Sequence, residues 1–256
     1  SAKRISSDDS DSKRQKLYNI VEEMKIASSM NYMPKVYVLN VGYLNAFASG
    51  WNEKNAVIAI TQPLLDALNR EELQAVIAHE LSHIKHQDTR VLTLVSVMAG
   101  LIVMVIDGMF RGVLYGGSSR SSKGRGGGGG LLIIIVVLLR VILPILTAFM
   151  VMYVSRRREL LADAGSVSMT RNNEALANAL IKIHNYHLSH KEKMEQAYKN
   201  TPNEGMRSLS YIYSPLAGNI RNRWNMTDWF ATHPSLDERL AALGVERRQD
   251  SVENSE

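Results

Sequence analysis

Cysteine is absent from this chain of 256 residues. Without thiols the chain can form no disulfide and no thiolate metal site, so any metal centre must use histidine and carboxylate side chains. Strong net charge is lacking too: the formal charge is only +5, and no Lys/Arg cluster is interleaved with aromatic residues, which argues against nucleic-acid binding. The chain opens with Ser1 and about a dozen polar residues, so we expect no secretory signal and a start trimmed or processed.

Long apolar runs, by contrast, are present, although a mean hydropathy of -0.12 hides them. Residues 91–110 and 131–154 are almost continuously apolar, and each run is near the roughly 20 residues that cross a bilayer core. We predict a transmembrane helical hairpin over 91–154, with a flexible Gly/Ser-rich loop at 115–130. Two buried helices of a soluble protein are the alternative.

Charges in and around the hairpin give mixed information. Lysine and arginine are nearly balanced between its two ends, so the positive-inside rule does not set its orientation. Asp107 and Arg140 lie within the apolar runs at similar depth, where a lone charge is costly. We predict that they pair across the hairpin. The alternatives are that Arg140 extends to the interface and that Asp107 pairs with Arg111 on its own helix.

The remaining sequence predicts several helices packed on a small sheet, which is an α+β arrangement. We expect one folded domain in two parts, 13–90 and 155–247, with disordered ends at 1–12 and 248–256. The sequence contains no internal repeat. Strands are predicted at 36–40, 45–50 and 56–61, and helices at 16–30, 63–69, from Asn69 through the histidine motif, from the second apolar run to 170, from 173 to 185 or beyond, and at 234–243.

The motif His79-Glu80-Leu81-Ser82-His83 is the most informative feature of the chain. At about 100° per residue, His79 and His83 leave the same helix face. Two imidazoles on one face can hold a divalent zinc ion, and Glu80 lies beside them, placed to act on a water at the metal. A helix with surface histidines is the alternative. The apolar flanks of the motif disfavour it, because buried imidazoles and carboxylates need partners.

A hydrolytic zinc site needs a third protein ligand and one open position. Glu159 and Asp163 are one turn apart on a helix whose apolar residues indicate burial. We predict that Glu159 completes the zinc site and that Asp163 accepts a hydrogen bond from a ligand imidazole, that of His79. Surface ion pairs with the preceding arginines are the alternative. His86 is a weaker candidate ligand, because it is rotated off the ligand face.

Three further histidines, His184, His187 and His190, lie at or beyond the end of the helix that starts at 173. We interpret that helix as exposed. Histidines near an exposed helix end are common without a metal, so we predict no second metal site there.

The histidine motif, the hydrophobic hairpin and Glu159-x-x-Ala162-Asp163 together resemble the HtpX-type heat-shock membrane zinc metalloproteases, which are relatives of the type I CAAX prenyl proteases. Asn45-Ala46-Phe47-Ala48 and Thr232-His233-Pro234 add to the resemblance, which extends from about residue 14 to 244. It implies a mostly helical zincin-type domain with a small β-sheet, interrupted by the hairpin. The family usually starts with two more transmembrane helices, which this sequence does not contain; we expect the metal site to be unaffected.

The resemblance implies a zinc endopeptidase with one Zn²⁺ per subunit. Glu80 would take a proton from water and pass it to the leaving amine. The tetrahedral oxyanion needs a second donor, for which the resemblance suggests His233, with Arg239 as a weaker option. Capping of the helix that begins at Pro234 is the alternative role for His233.

Asn45, Ala46, Phe47 and Ala48 resemble the edge strand that lines the substrate cleft of thermolysin-like enzymes. Such a strand would pair with an extended substrate backbone, which implies broad sequence preference and selection for unfolded segments. The resemblance further implies a multi-pass protein of a bacterial inner membrane, with its active site on the cytoplasmic face, acting on unfolded or damaged membrane proteins in a stress response. Oligomeric state and individual substrates do not follow from the sequence.

Two other functions compete with this hypothesis. An inactive scaffold in which zinc only holds helices together would have no use for Glu80 and would close its fourth metal position. A prenyl-protein protease of narrow specificity would share the chemistry, but it would work in a closed membrane chamber that needs many more spans than this chain has.

Overall fold

The structure is a computed structural model that describes residues 2–115, 128–190 and 234–246. The chain divides into two compact units. The first combines the described residues up to Thr89 with those from Arg156 onwards, and the second is Arg90–Ser155. The elements in chain order are β1 (Ala2–Arg4), α1 (Ser12–Ala27), β2 (Lys35–Leu39), β3 (Ala46–Ser49), a 3₁₀ turn (Glu53–Asn55), β4 (Val57–Thr61), α2 (Gln62–Ala67), α3 (Arg70–Lys85), α4 (Asp88–Tyr115), α5 (Gly128–Thr170), α6 (Asn173–Ser189) and α7 (Leu236–Ala242).

The four strands form one mixed sheet in the order β1-β2-β4-β3. The central strands β2 and β4 are parallel, and each is paired antiparallel with an edge strand. β4 is the most apolar strand, and Ile58 and Ile60 are fully buried in the core that it shares with α1 and α3. The sheet therefore carries β3 at one edge, paired only with β4 among the described residues.

The start of the chain differs from our expectation of a disordered segment at 1–12. β1 pairs with β2, and Ile5, only 3% exposed, packs into the core. Asp11 then caps α1 by accepting hydrogen bonds from the backbone N–H groups of Lys13 and Arg14. Polar composition alone predicted disorder, whereas pairing with a distant strand and burial of one isoleucine order the segment.

Helix α3 begins with the predicted capping box. The Asn69 side chain accepts from the Glu72 backbone N–H, and the Glu72 carboxylate accepts from the Asn69 backbone N–H. The helix is buried on most of its surface because α1, α6 and β3 all pack against it. It ends at Lys85, and Gln87 adopts a left-handed conformation with φ of 56° that turns the chain into α4.

The last part of α5 belongs to the first unit and lies against α3 at close range. Ser166 donates a hydrogen bond of 2.6 Å from its Oγ to the Ala75 carbonyl. The preceding residue, Gly165, approaches Ser82 so closely that a β-carbon on the glycine would lie 2.9 Å from the Ser82 Cβ. The absence of a side chain at 165 therefore sets the separation of the two helices.

Two helical stretches are long and apolar enough to cross a membrane, Asp88–Gly112 and Val137–Thr170, each with a mean hydropathy of 2.3. Most of each stretch lies in the second unit. Only 0% and 6% of these apolar windows are buried within the protein. A buried soluble hairpin would hide them, so the structure favours the membrane interpretation. Most of the predicted loop, residues 116–127, lies outside the described part of the chain.

Asp107 forms ion pairs with both Arg140 and Arg111, which the sequence offered as alternative partners. Its carboxylate lies 3.0 Å from Arg140 across the hairpin and 2.8 Å from Arg111 on its own helix. The Arg140 guanidinium also lies over the Phe110 ring, 4.3 Å from its centroid. One carboxylate therefore serves two arginines, and the predicted cross-hairpin pair is present.

Candidate metal centre and active site

Helix α3 places His79, Glu80 and His83 in the interior of the first unit. His79 and Glu80 are 0% and 1% exposed, and the surrounding residues of the helix are apolar core. The four-residue spacing brings the two imidazoles together edge to face, with ring centroids 4.6 Å apart. Both rings project from the α3 face that also meets α5, and α5 supplies the third group.

The side chains of His79, His83 and Glu159 converge on one point. The two Nε2 atoms are 3.0 Å apart, and the Glu159 carboxylate oxygens lie 3.7 Å from His79 Nε2 and 3.6 Å from His83 Nε2. Ligands about 2.0–2.1 Å from a tetrahedral zinc ion are separated by about 3.3 Å. The three observed separations bracket that value, so these residues fit a zinc ion without rearrangement.

The other nitrogen of each imidazole is engaged by a carboxylate. His79 Nδ1 lies 2.9 Å from Asp163, and His83 Nδ1 lies 2.6 Å from Asp88. Because an N–H at Nδ1 donates to the carboxylate, each neutral ring keeps its lone pair on Nε2. Two lone pairs facing each other at 3.0 Å beside a carboxylate favour a cation between them.

Arg239 binds Asp163 and also lies close to the metal ligands, with its Nη1 atom 3.9 Å from a Glu159 carboxylate oxygen. Its Nε and Nη2 atoms donate to the two Asp163 oxygens at 2.8 and 2.5 Å, and its side chain is 3% exposed. We predicted Arg239 as a substrate-binding residue and a weaker oxyanion donor. The bidentate pair engages two of its donors with Asp163, and its role toward the substrate stays a prediction. His233, the preferred oxyanion donor, lies outside the described residues.

Burial shifts the pKa values of His79 and Glu80 in opposite directions. It lowers the pKa of His79, against the opposing effect of Asp163, so the imidazole stays neutral as a metal ligand requires. It raises the pKa of Glu80 to about 8, with the positive influence of His83 opposing the shift and the charge of Glu159 adding to it. No described group makes a regular hydrogen bond to either Glu80 carboxylate oxygen. With this pKa the Glu80 carboxyl group is mostly protonated at pH 7 while no cation is bound, and once deprotonated it accepts a proton more readily than an ordinary carboxylate.

The predicted substrate strand lies next to Glu80. β3 packs against α3, and the Ala48 backbone is close enough to lower the Glu80 pKa. Asn45 precedes the strand and is fully buried; its Oδ1 accepts from the Ala46 backbone N–H, and its own N–H donates to Thr61 Oγ1. Ala46 and Ala48 face the core, while Phe47 is partly exposed on the other face. The strand is thus held firmly beside the site, with its outer edge open among the described residues.

Sequence reasoning missed two residues of the site. Asp88 contacts His83, and Arg158 in turn contacts the second Asp88 oxygen. Arg158 is one of the arginines that precede Glu159, for which the sequence indicated no more than a surface ion pair. An acid five residues after His83, ahead of a long apolar run, was the available signal for Asp88. The turn at Gln87 that brings it back could not be recognised from the sequence.

Comparison with known proteins agrees with this geometry. The family model described as Peptidase family M48 matches residues 11–247. A Protease HtpX homolog from Helicobacter acinonychis is 34% identical over 232 residues, which are 91% of this chain and 67% of that protein. Another from Dictyoglomus turgidum is 37% identical over 227 residues, covering 89% of this chain and 68% of the relative.

One solved structure has a similar fold, the crystal structure of S. mikatae Ste24p. The TM-score is 0.56 at 20% sequence identity, and the match covers 94% of this chain and 52% of that one. This chain therefore spans about half the length of Ste24p. At this identity the likeness concerns the fold alone, and it agrees with the predicted zincin-type α+β architecture.

Proposed function

Given that the chain belongs to Peptidase family M48 and is a membrane metalloprotease, we propose that it is a zinc-dependent endopeptidase that cleaves unfolded or damaged proteins. The observation that carries this proposal is the convergence of His79, His83 and Glu159, with Glu80 beside them. An inactive scaffold would not need a buried carboxyl group next to the ligands that makes no regular hydrogen bond to a described residue.

Different residues of the chain bind the metal, transfer the proton and hold the substrate during hydrolysis. When bound, a zinc ion would supply Lewis acidity that polarises the peptide carbonyl and lowers the pKa of water. His79, His83 and Glu159 would hold it, leaving one position open. Glu80 accepts the proton of the attacking water and delivers it to the nitrogen of the leaving amine. β3 holds the substrate backbone alongside through main-chain hydrogen bonds.

The geometry of β3 supports the choice of unfolded proteins as substrates. Edge pairing uses peptide N–H and C=O groups, which a folded protein has already satisfied internally. We place the enzyme in a bacterial inner membrane as a multi-pass protein with its active site on the cytoplasmic face, in protein quality control. The HtpX relatives and the two apolar helices support this location.

Substitutions at Glu80 and Glu159 separate metal binding from hydrolysis. Glu80→Gln removes the base but no ligand, so we expect bound zinc at the stoichiometry of the parent and a loss of casein cleavage of at least about 100-fold. Glu159→Gln exchanges an anionic ligand for a weak one, so both zinc and cleavage should be lost. Metal analysis of the purified protein and casein hydrolysis measure the two properties.

The competing functions predict different results in the same assays. A zinc scaffold would bind metal and show no chelator-sensitive cleavage of casein in the parent protein. A prenyl-protein protease would cleave a prenylated peptide and leave casein intact. Cleavage that persists at the parental rate in Glu80→Gln would remove this residue from the mechanism.

A further inference from the structure

We propose that Asp88 and Arg158 form a positioning pair for His83, in which the carboxylate orients the imidazole and the guanidinium orients the carboxylate. This inference rests on the proposed function, because it concerns the same metal site. The contacts that carry it are a 2.6 Å hydrogen bond between His83 Nδ1 and Asp88 Oδ2 and an ion pair between Asp88 Oδ1 and Arg158.

Each oxygen of Asp88 therefore has a separate partner. The side chains of Asp88 and Arg158 are 10% and 13% exposed, so the pair is largely shielded from water. In such surroundings a carboxylate that lost one partner would no longer be held in one orientation and would attract water instead. Arg158 also donates a 3.4 Å hydrogen bond to the His86 carbonyl at the end of α3, which ties the guanidinium to the helix that carries His83.

The contact at Nδ1 determines what Nε2 can do. An N–H at Nδ1 that donates to Asp88 leaves the lone pair of His83 on Nε2, directed at Glu159 and His79. A ring free to rotate or to change tautomer would present the lone pair there only part of the time. Asp88 thus acts through His83, and Arg158 acts through Asp88.

His79 has an equivalent arrangement, in which Asp163 binds Nδ1 and Arg239 binds Asp163 with two hydrogen bonds. The two arrangements share α5, which carries both Asp163 and Arg158, but the other carboxylate and the other guanidinium lie on different helices. Asp88 is the first residue of α4, and Arg158 precedes Glu159 on α5. Two adjacent residues of α5 therefore serve the site: Glu159 as a ligand, and Arg158 as the residue that holds Asp88 against His83.

Zinc affinity of the whole 256-residue chain in detergent tests the pair, and it is measured by competition for Zn²⁺ with a chromophoric chelator. Asp88→Ala should weaken zinc binding by about 10–100-fold, the usual effect of removing a carboxylate behind a histidine ligand. Arg158→Met should weaken it less. The double variant should match Asp88→Ala, because Arg158 has no effect once its carboxylate is gone. Arg157→Met removes a neighbouring, exposed arginine and serves as the matched control with unchanged affinity.

Co²⁺ in place of zinc reports the geometry of the site independently of activity. A reoriented His83 should change the visible absorption bands of the Co²⁺ protein in Asp88→Ala and leave them unchanged in Arg157→Met. Asp88→Asn preserves the shape of the side chain, so it provides the same measurement if the alanine variant does not fold. Its zinc affinity should also fall.

The outcomes distinguish this inference from the proposed function. If the parent binds no zinc, the proposed function fails. If the parent binds zinc but Asp88→Ala and Asp88→Asn bind it within twofold of the parent with an unchanged Co²⁺ spectrum, the positioning pair is refuted. Additive losses in the double variant, or equal losses in Arg157→Met and Arg158→Met, also contradict the proposed chain of contacts.

Discussion

His187 illustrates how much a single buried residue can depend on its surroundings. We expected an exposed helix end, but His187 is only 6% exposed and faces the segment that leads into β3, where the Leu44 backbone contacts it. Burial lowers its pKa to about 4, with the Leu44 contact opposing the shift and the charge of His184 adding to it. The imidazole therefore belongs to the fold in its neutral form.

Acidification should destabilise the protein through His187. The unfolded chain, with an ordinary pKa near 6.5, binds a proton that the folded chain refuses until about pH 4, so stability falls as the pH drops through this window. We expect a loss of about 2 kcal/mol at pH 5 from this residue. Thermal unfolding of the chelator-treated protein at pH 7.5 and 5 measures it. His187→Gln should reduce the difference, whereas an unchanged difference would contradict the assignment; His190→Gln is the control.

At the residue scale, the sequence predicted correctly which side chains lie together when they are one helical turn apart in the chain. His79 and His83 share a face because of helical spacing, and Glu159 and Asp163 do so for the same reason. Asp88 and Arg158 could not be predicted as partners, because their meeting depends on the left-handed turn at Gln87 and on the docking of α5. Arg239 was recognised as part of the site, but the direction of its guanidinium was not.

At the scale of elements, the separation of α3 and α5 determines whether the ligands on the two helices can meet. Gly165 and Ser82 are at van der Waals limits, and the Ser166 hydrogen bond to Ala75 fixes the register nearby. Glu159 is carried by the same helix, so any outward movement of α5 would move its carboxylate away from His79 and His83.

Gly165→Ala should push the helices apart. A better helix former would normally stabilise the helix by about 1 kcal/mol, but the overpacked contact should cost about 1–3 kcal/mol and weaken zinc binding. The matched control is Gly100→Ala in α4, where the added methyl group meets nothing within 4 Å. Melting temperature and zinc affinity are the measurements. A Gly165→Ala variant with parental values for both would show that the contact does not set the geometry of the site.

Element boundaries were predicted best where a local signal exists. The capping box at Asn69, the short apolar runs of β2 and β4, and Gly244, which has a φ of 69° after α7, all act within a few residues. Strand bounds accordingly agree within a residue or two. β1 was missed because its three exposed residues contain no such signal, and only pairing with β2 makes them a strand.

At the scale of the whole molecule, the first unit is assembled from two stretches of chain separated by the hairpin. The metal site takes ligands from both stretches, with His79 and His83 from one and Glu159 from the other. A bound cation would therefore connect parts of the chain that the hairpin separates, and it should contribute to the stability of the folded unit.

Metal removal should lower the melting temperature. A ligand present at 100 times its Kd stabilises the native state by about 2.7 kcal/mol, which corresponds to about 5–10 °C for a domain of this size. We expect this difference between zinc-loaded and chelator-treated protein. Glu80→Gln, which keeps all three ligands, should show the same difference, and Glu159→Gln should show none. A chelator effect of equal size in Glu159→Gln would indicate that the metal stabilises the protein elsewhere.

The open edge of β3 has a consequence for the design of inhibitors. If recognition depends on main-chain groups, a substrate peptide should lose most of its binding when a backbone nitrogen facing the strand carries a methyl group, whatever its side chains. A ladder of singly N-methylated peptides would then map the docking register position by position. Peptides of that series that still bind but are not cleaved would be starting points for inhibitors. Exchanging side chains alone would not produce them.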